Sequence, residues 1–127
     1  MLKKVISTNK APLPIGPYSQ AISTPQNLLF VSGQIGINPK NGEMVKNGIA
    51  DETKHALENL KAILEGAGSS LDNVVKTTIF LLNMEDFEQM NEVYSQYFQN
   101  DPPARSTVQV TALPKGASVE IEAIAFV

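Results

Sequence analysis

Arg105 lies in the run Pro102-Pro103-Ala104-Arg105-Ser106-Thr107-Val108, where a proline-stiffened loop becomes a strand. A guanidinium is a permanently charged, forked donor suited to gripping a carboxylate at two points. Farther on the chain reads Val119-Glu120-Ile121-Glu122-Ala123, a strand with carboxylates on alternate positions and therefore on one face. A strand-end arginine facing strand-borne glutamates makes a small pocket for an acidic metabolite. Each part also has a plainer reading. Arg105 fits a surface ion pair, and the two glutamates fit a solvated strip. Their neighbours are very apolar, however, and a Glu held there near an Arg can bind water or act as a general base. Spacing alone does not choose between Glu120 and Glu122.

Two further segments join this constellation. Gly16-Pro17-Tyr18-Ser19-Gln20-Ala21 reads either as a rigid loop tucking an aromatic over the core or as a pocket wall, since Tyr18 has an apolar body and a polar tip. Ser32-Gly33-Gln34-Ile35-Gly36 has glycines in or beside a strand, which mark a bulge or a place where a ligand approaches backbone closely. It is not a nucleotide loop, because G-x-G-x-x-G is absent and no helix follows directly. His55 is the single histidine, off the apolar stripe of its helix, and reads as a solvent-facing structural residue. The serines have no neighbouring base. The chain has no cysteine, which excludes disulfides, thiolate metal sites and cysteine nucleophiles.

The elements that must position these residues follow from periodicity. Residues 3–7 read as a short strand, and residues 9–17, with Pro12, Pro14, Gly16 and Pro17, as an extended loop. Residues 19–23 and 28–35 form a hairpin across Pro25-Gln26-Asn27. Asn38-Pro39-Lys40-Asn41-Gly42 is a turn. Ile49, Thr53, Ala56, Leu57, Leu60, Ile63, Leu64 and Ala67 then follow the three-four spacing of a helix, with Asp51 and Glu52 at its positive start and Gly66 and Gly68 at its stop. Residues 74–82 are apolar on both faces and read as a doubly covered strand. A second helix starts near Asn83, buries Phe87, Met90, Tyr94, Tyr97 and Phe98, and ends before Pro102 and Pro103. Residues 106–110 and 118–127 close the chain as strands. The expectation is one α+β domain over residues 1–127, with two helices on one face of a mixed six-stranded sheet.

That layout leaves the other sheet face apolar. On the last strand Val119, Ile121, Ala123, Ala125 and Val127 form one set, while Ile124 and Phe126 belong to the other. An uncovered apolar face of that size is buried in an oligomer, and pockets between subunits become natural. Composition limits the partners. In 127 residues, 43% hydrophobic and 18% charged content describes a globular chain. The net charge of −3, with no basic cluster or aromatic platform, does not suggest nucleic-acid binding, and no nucleic-acid partner is expected. The first residues carry Lys3 and Lys4 without a following apolar stretch, so they read as a strand rather than a signal peptide. No run reaches membrane-spanning length, and cytoplasmic residence is the expectation.

Taken in order, Gly16-Pro17-Tyr18-Ser19-Gln20-Ala21, Val31-Ser32-Gly33-Gln34-Ile35, Asn91-Glu92-Val93-Tyr94, Pro103-Ala104-Arg105-Ser106 and Val119-Glu120-Ile121-Glu122 resemble the RidA (YjgF-like) family of enamine/imine deaminases across essentially the whole chain. The resemblance implies a chorismate-mutase-like fold, a homotrimer, and ligand clefts between subunits. It implies hydrolysis of imines of the 2-aminoacrylate and 2-iminobutyrate type to 2-keto acids and ammonia, without a cofactor or metal. Carried over, Arg105 pairs with the substrate carboxylate, Glu120 positions the attacking water, Tyr18 packs over the ligand, and Gly33 lets it approach the strand. Thr107 stands where many members have cysteine, and it keeps a backbone N–H there while a thiol is lost. Two other readings accompany this one: a non-catalytic sensor of small carboxylates that regulates a protein partner, and an interaction or chaperone-like module.

Overall fold

A computed structural model describes residues 2–127. Strands β1 (Lys4–Ile6), β2 (Ala21–Ser23) and β3 (Leu28–Gln34) come first, followed by helix α1 (Ile49–Gly66) and strand β4 (Val74–Leu81). Helix α2 (Phe87–Tyr97), β5 (Ala104–Gln109) and β6 (Val119–Phe126) complete the chain. The six strands form one sheet in the order β1-β2-β3-β6-β4-β5. Only β4 and β5 run parallel; every other pair is antiparallel. The expected mixed sheet and element order are therefore present.

Both helices lie on one face of the sheet. Leu57, Leu60, Ile63 and Leu64 of α1 meet Ile79 and Leu81 of β4 and Val119, Ile121 and Ala125 of β6, all fully buried. Each such aliphatic side chain contributes about 1.5–3 kcal/mol by leaving water. Glu52 and Asn59 interrupt the apolar stripe of α1 and are buried as well. Asn59 donates from its amide to the carbonyls of Ile35 (3.1 Å) and Ile37 (2.8 Å), holding the chain just beyond β3 against the helix.

Details at the element ends differ from the sequence reading. Asn83 does start the second helical segment, its side-chain oxygen accepting from the Glu85 N–H at 2.9 Å, but the first turn is 3₁₀ and α2 proper begins at Phe87. β5 begins at Ala104, so Arg105 lies inside the strand rather than before it. Val127 does not extend the inward-facing set of β6, because the strand ends at Phe126 and Val127 is exposed. His55 is half-buried rather than solvent-facing, with Nδ1 2.9 Å from the Asp51 carbonyl and 3.5 Å from the Asp51 carboxylate. No described helix is long and apolar enough to cross a membrane.

The second face of the sheet has no cover within the chain. β4 is consequently covered on one side only, where double cover was expected. On β6, Glu120, Glu122, Ile124 and Phe126 point to this open face, and Phe30 and Val108 share it through the strand registers.

Candidate active site

A cleft of about 480 Å³ lies at the open-face end of β3 and β6. Pro12, Leu13, Ile15 and Tyr18 form one wall, Ser32 to Ile35 the floor, and Pro114, Glu120 and Glu122 the opposite side. Its first wall is a proline-rich loop held by a single buried side chain. The Gln20 amide nitrogen donates to the carbonyls of Thr8 (3.0 Å) and Pro12 (2.7 Å), while its oxygen accepts from the Thr8 N–H at 2.7 Å. Tyr18 completes the loop from outside, its hydroxyl accepting from the Ile15 N–H at 3.2 Å.

A β-bulge shapes the floor. Val31 pairs with Ala123, but the next pair is Gln34 with Ile121, so Ser32 and Gly33 together oppose Glu122. Ser32 is tied down by its hydroxyl, which donates to the Ser19 carbonyl at 2.6 Å. Gly33 has no side chain for a physical reason visible here. A Cβ at that position would overlap the Glu120 carboxylate and lie 2.6 Å from Glu120 Cδ and 2.8 Å from Cγ. The sequence reading assigns that space to a ligand; in the structure Glu120 folds into it.

Glu120 is half-buried in this cleft. Burial raises its pKa above the ordinary carboxylate range, and the neighbouring charge of Glu122 raises it further. A carboxyl group with a raised pKa in a cleft is suited to accept a proton from water and return it.

Tyr18, Gly33 and Glu120 thus come together. Arg105 and Thr107 do not join them within one chain. Arg105 pairs in register with Thr77 of β4 on the helix-covered face, whereas Glu120 is opposite Phe80 on the open face. The expectation that Arg105 faces the glutamates of the last strand fails for a simple reason: side chains alternate, and these two residues have opposite parity in the sheet. Arg105 instead stands over aromatic rings of α2, its guanidinium carbon 4.8 Å from the Tyr94 centroid and 5.6 Å from that of Phe87. No carboxylate among the described residues forms an ion pair with it.

The surroundings of Arg105 are unusually prepared. Tyr94 is buried, its hydroxyl 2.7 Å from Thr77 Oγ1, and burial raises its pKa although the Thr77 hydrogen bond and the Arg105 charge oppose this. Asn91 lies between Phe87 and Tyr94 on the same stripe of α2, and its side-chain oxygen is buried without a partner. The Thr107 hydroxyl is buried and unpartnered too. An unpaired cation flanked by unsatisfied polar atoms is an arrangement prepared for a polar ligand. Asn91 and Gln20 both lie in motifs quoted above, yet their types alone assign no role. Glu52 carries only the signal of an acidic residue at a helix start.

Comparison with known proteins agrees with this fold. The profile of the endoribonuclease L-PSP family matches residues 8–127. The 2-iminobutanoate/2-iminopropanoate deaminase of Mus musculus is 52% identical over 125 residues, spanning 98% of this chain and 92% of that protein. Among solved structures, YyfA of the Rid protein family from Yersinia pestis is 52% identical with a TM-score of 0.95, over 98% of this chain and 99% of that one. E. coli TdcF, solved with bound serine, is 43% identical with a TM-score of 0.92 and 98% coverage of both chains. Matches of this closeness over nearly the full chain leave one conclusion: the chain belongs to the endoribonuclease L-PSP family, the RidA/YjgF family.

Proposed function

We propose that this protein hydrolyses reactive imines of the 2-iminobutyrate and 2-iminopropionate type to 2-keto acids and ammonia, without cofactor or metal. The observation that carries the proposal is the Glu120 carboxylate, desolvated in an apolar cleft and folded over Gly33. The name of the mouse deaminase supports it. An enamine such as 2-aminoacrylate first tautomerises, a proton being added at C3 and one lost from nitrogen. The resulting imine carbon is electrophilic, so the protein has to place it and orient a water. Glu120 takes a proton from that water as oxygen bonds to C2. It passes that proton to nitrogen to give a neutral carbinolamine, then relays the C2 hydroxyl proton to the same nitrogen as the C–N bond breaks, so that the keto group forms and ammonia leaves.

The substrate carboxylate needs a cation, and the cleft of one chain is lined by Glu120 and Glu122 with no Lys or Arg among its lining residues. Arg105 is on the far face of the same sheet. Arg105, with the Thr107 backbone beside it, therefore serves the cleft of a second copy, while Tyr18 covers the ligand. This is the reason for proposing an oligomer with clefts between subunits; the homotrimer, the chorismate-mutase-like fold and the cytoplasmic location are proposed from the family resemblance. The family's endoribonuclease name does not fit as well: a cleft with two carboxylates on a chain of net charge −3 repels a phosphate backbone.

The test follows 2-iminobutyrate released by a threonine dehydratase. The protein should accelerate its conversion to 2-ketobutyrate, and Glu120→Gln should lower the rate roughly 10²–10⁴-fold while 2-ketobutyrate still binds. Binding of 2-ketobutyrate without any acceleration by the wild-type protein would favour the carboxylate sensor and sink the deaminase.

A further inference from the structure

Glu52 is a carboxylate that the proposed reaction does not use, and its placement calls for an explanation. It lies in the first turn of α1, only 7% exposed, where the positive helix end favours an acidic side chain. Its Oε1 accepts a hydrogen bond at 2.8 Å from the N–H of Ser118, sixty-six residues away and two before Glu120. The start of α1 also touches the chain just past β3: a Cβ on Gly36 would lie 3.0 Å from the Glu52 carbonyl oxygen and 3.1 Å from its Cα.

The β3 bulge explains why that bond matters. The final β3–β6 pair is Gln34 with Ile121, so Val119 and Glu120 have ladder partners only on the β4 side. Ser118 is held on that side as well, its carbonyl accepting from the Leu82 N–H at 3.0 Å. The Ser118 N–H is taken by the Glu52 carboxylate rather than by a strand, so both backbone groups of the residue just before β6 are held. The same bulge makes the room that the Glu120 carboxylate occupies. One irregularity thus opens a place for Glu120 and leaves the start of its strand without β3 beside it, while Glu52 anchors the residue from which that strand begins.

We infer that Glu52 is a positioning residue for the reaction: by accepting the Ser118 N–H it fixes the start of β6 and holds Glu120 over Gly33. The inference rests on the deaminase reading of Glu120 given above. Its test compares Glu52→Asp, which keeps the charge but shortens the reach by one methylene, with Glu52→Gln, which keeps the reach and an acceptor oxygen. Glu52→Ala is added if it folds. For Glu52→Asp, kcat for 2-iminobutyrate should fall about 10- to 100-fold, the cost of a reacting group displaced by around an ångström. KM should change little, because the cation that binds the substrate lies elsewhere.

The acid limb of the kcat–pH profile should move toward the ordinary carboxylate range, since a Glu120 released from its groove is better hydrated. Glu52→Gln should restore most of kcat and the wild-type limb. A merely structural Glu52 would lower Tm without moving that limb. Wild-type kcat and limb in Glu52→Asp would overturn the inference, as would Glu52→Gln as impaired as Glu52→Asp. Full activity in Glu120→Gln would instead sink the deaminase reading and this inference with it. An inactive Glu120→Gln beside an unimpaired Glu52→Asp sinks this inference alone.

Discussion

At the scale of single residues, charge and its environment make the testable statements. Arg105 is held by ring faces rather than by a carboxylate, leaving its fork free for a ligand. Arg105→Lys should therefore lose substrate binding, because an ammonium neither spreads over Tyr94 nor reproduces a two-point contact. Saturation kinetics should give a KM raised at least about tenfold, the scale of one lost charge-assisted bond; wild-type KM would mean that Arg105 is not the clamp. Glu120 makes a second prediction. Its raised pKa means that the reaction rate should climb with pH through a limb above the ordinary carboxylate range.

Glu122→Gln should lower that limb only in part, since burial is the larger cause and the Glu122 charge the smaller. The sign for stability is opposite to that for rate. Between the ordinary and the raised value the folded state holds more proton than the unfolded one, so stability falls as pH rises through that window. Glu120→Gln should accordingly raise Tm at neutral pH while it slows turnover, a balance expected of a base kept in a dry site. A Tm scan of both proteins at pH 5 and pH 8 reads this directly.

At the scale of elements, the bulge in β3 does the arranging. An uninterrupted β3 would continue pairing along β6 and leave no recess for the Glu120 side chain. Gly33→Ala puts a methyl group where that carboxylate lies, and the flexible end of Glu120 is the part that can move. The variant should therefore fold with near-normal Tm and lose most of its kcat. Retention of full kcat would show that the position of Glu120 over Gly33 is irrelevant to turnover. The wall opposite the bulge depends on Gln20, whose amide holds Thr8 and Pro12 together and so carries Tyr18 to the cleft.

At the scale of the whole molecule, the open face is where the proposed assembly would form. Phe30, Val108 and Phe126 on that face are 43%, 43% and 46% exposed in the single chain. Exposed apolar side chains on an uncovered sheet face mark a site of association. Light scattering at micromolar concentration should give three times the mass of the 13.7 kDa chain. Phe126→Asp should shift the mass toward a single chain and abolish turnover together, because Arg105 and Glu120 then no longer meet. A wild-type protein that scatters as a monomer would defeat the proposed arrangement.

Much of this was legible in the sequence for local reasons. Apolar spacing in α1, the proline pair after α2 and the alternation in β6 each act within a few residues, so the element order and the helix-covered face follow from pattern alone. The same alternation already carries the uncovered face. The choice of Glu120 over Glu122 came from the family resemblance, because both carboxylates share one strand face and the same apolar neighbours. What tertiary structure alone decided is which residues meet. The face that Arg105 takes depends on the register of β5 against β4, and no local period contains the separation between strands. Gly33 read as a ligand's space became space for Glu120, because a bulge is a mismatch between two strands and belongs to neither. Glu52 appeared as one more acidic residue at a helix start; only the folded chain brings Ser118 to its carboxylate.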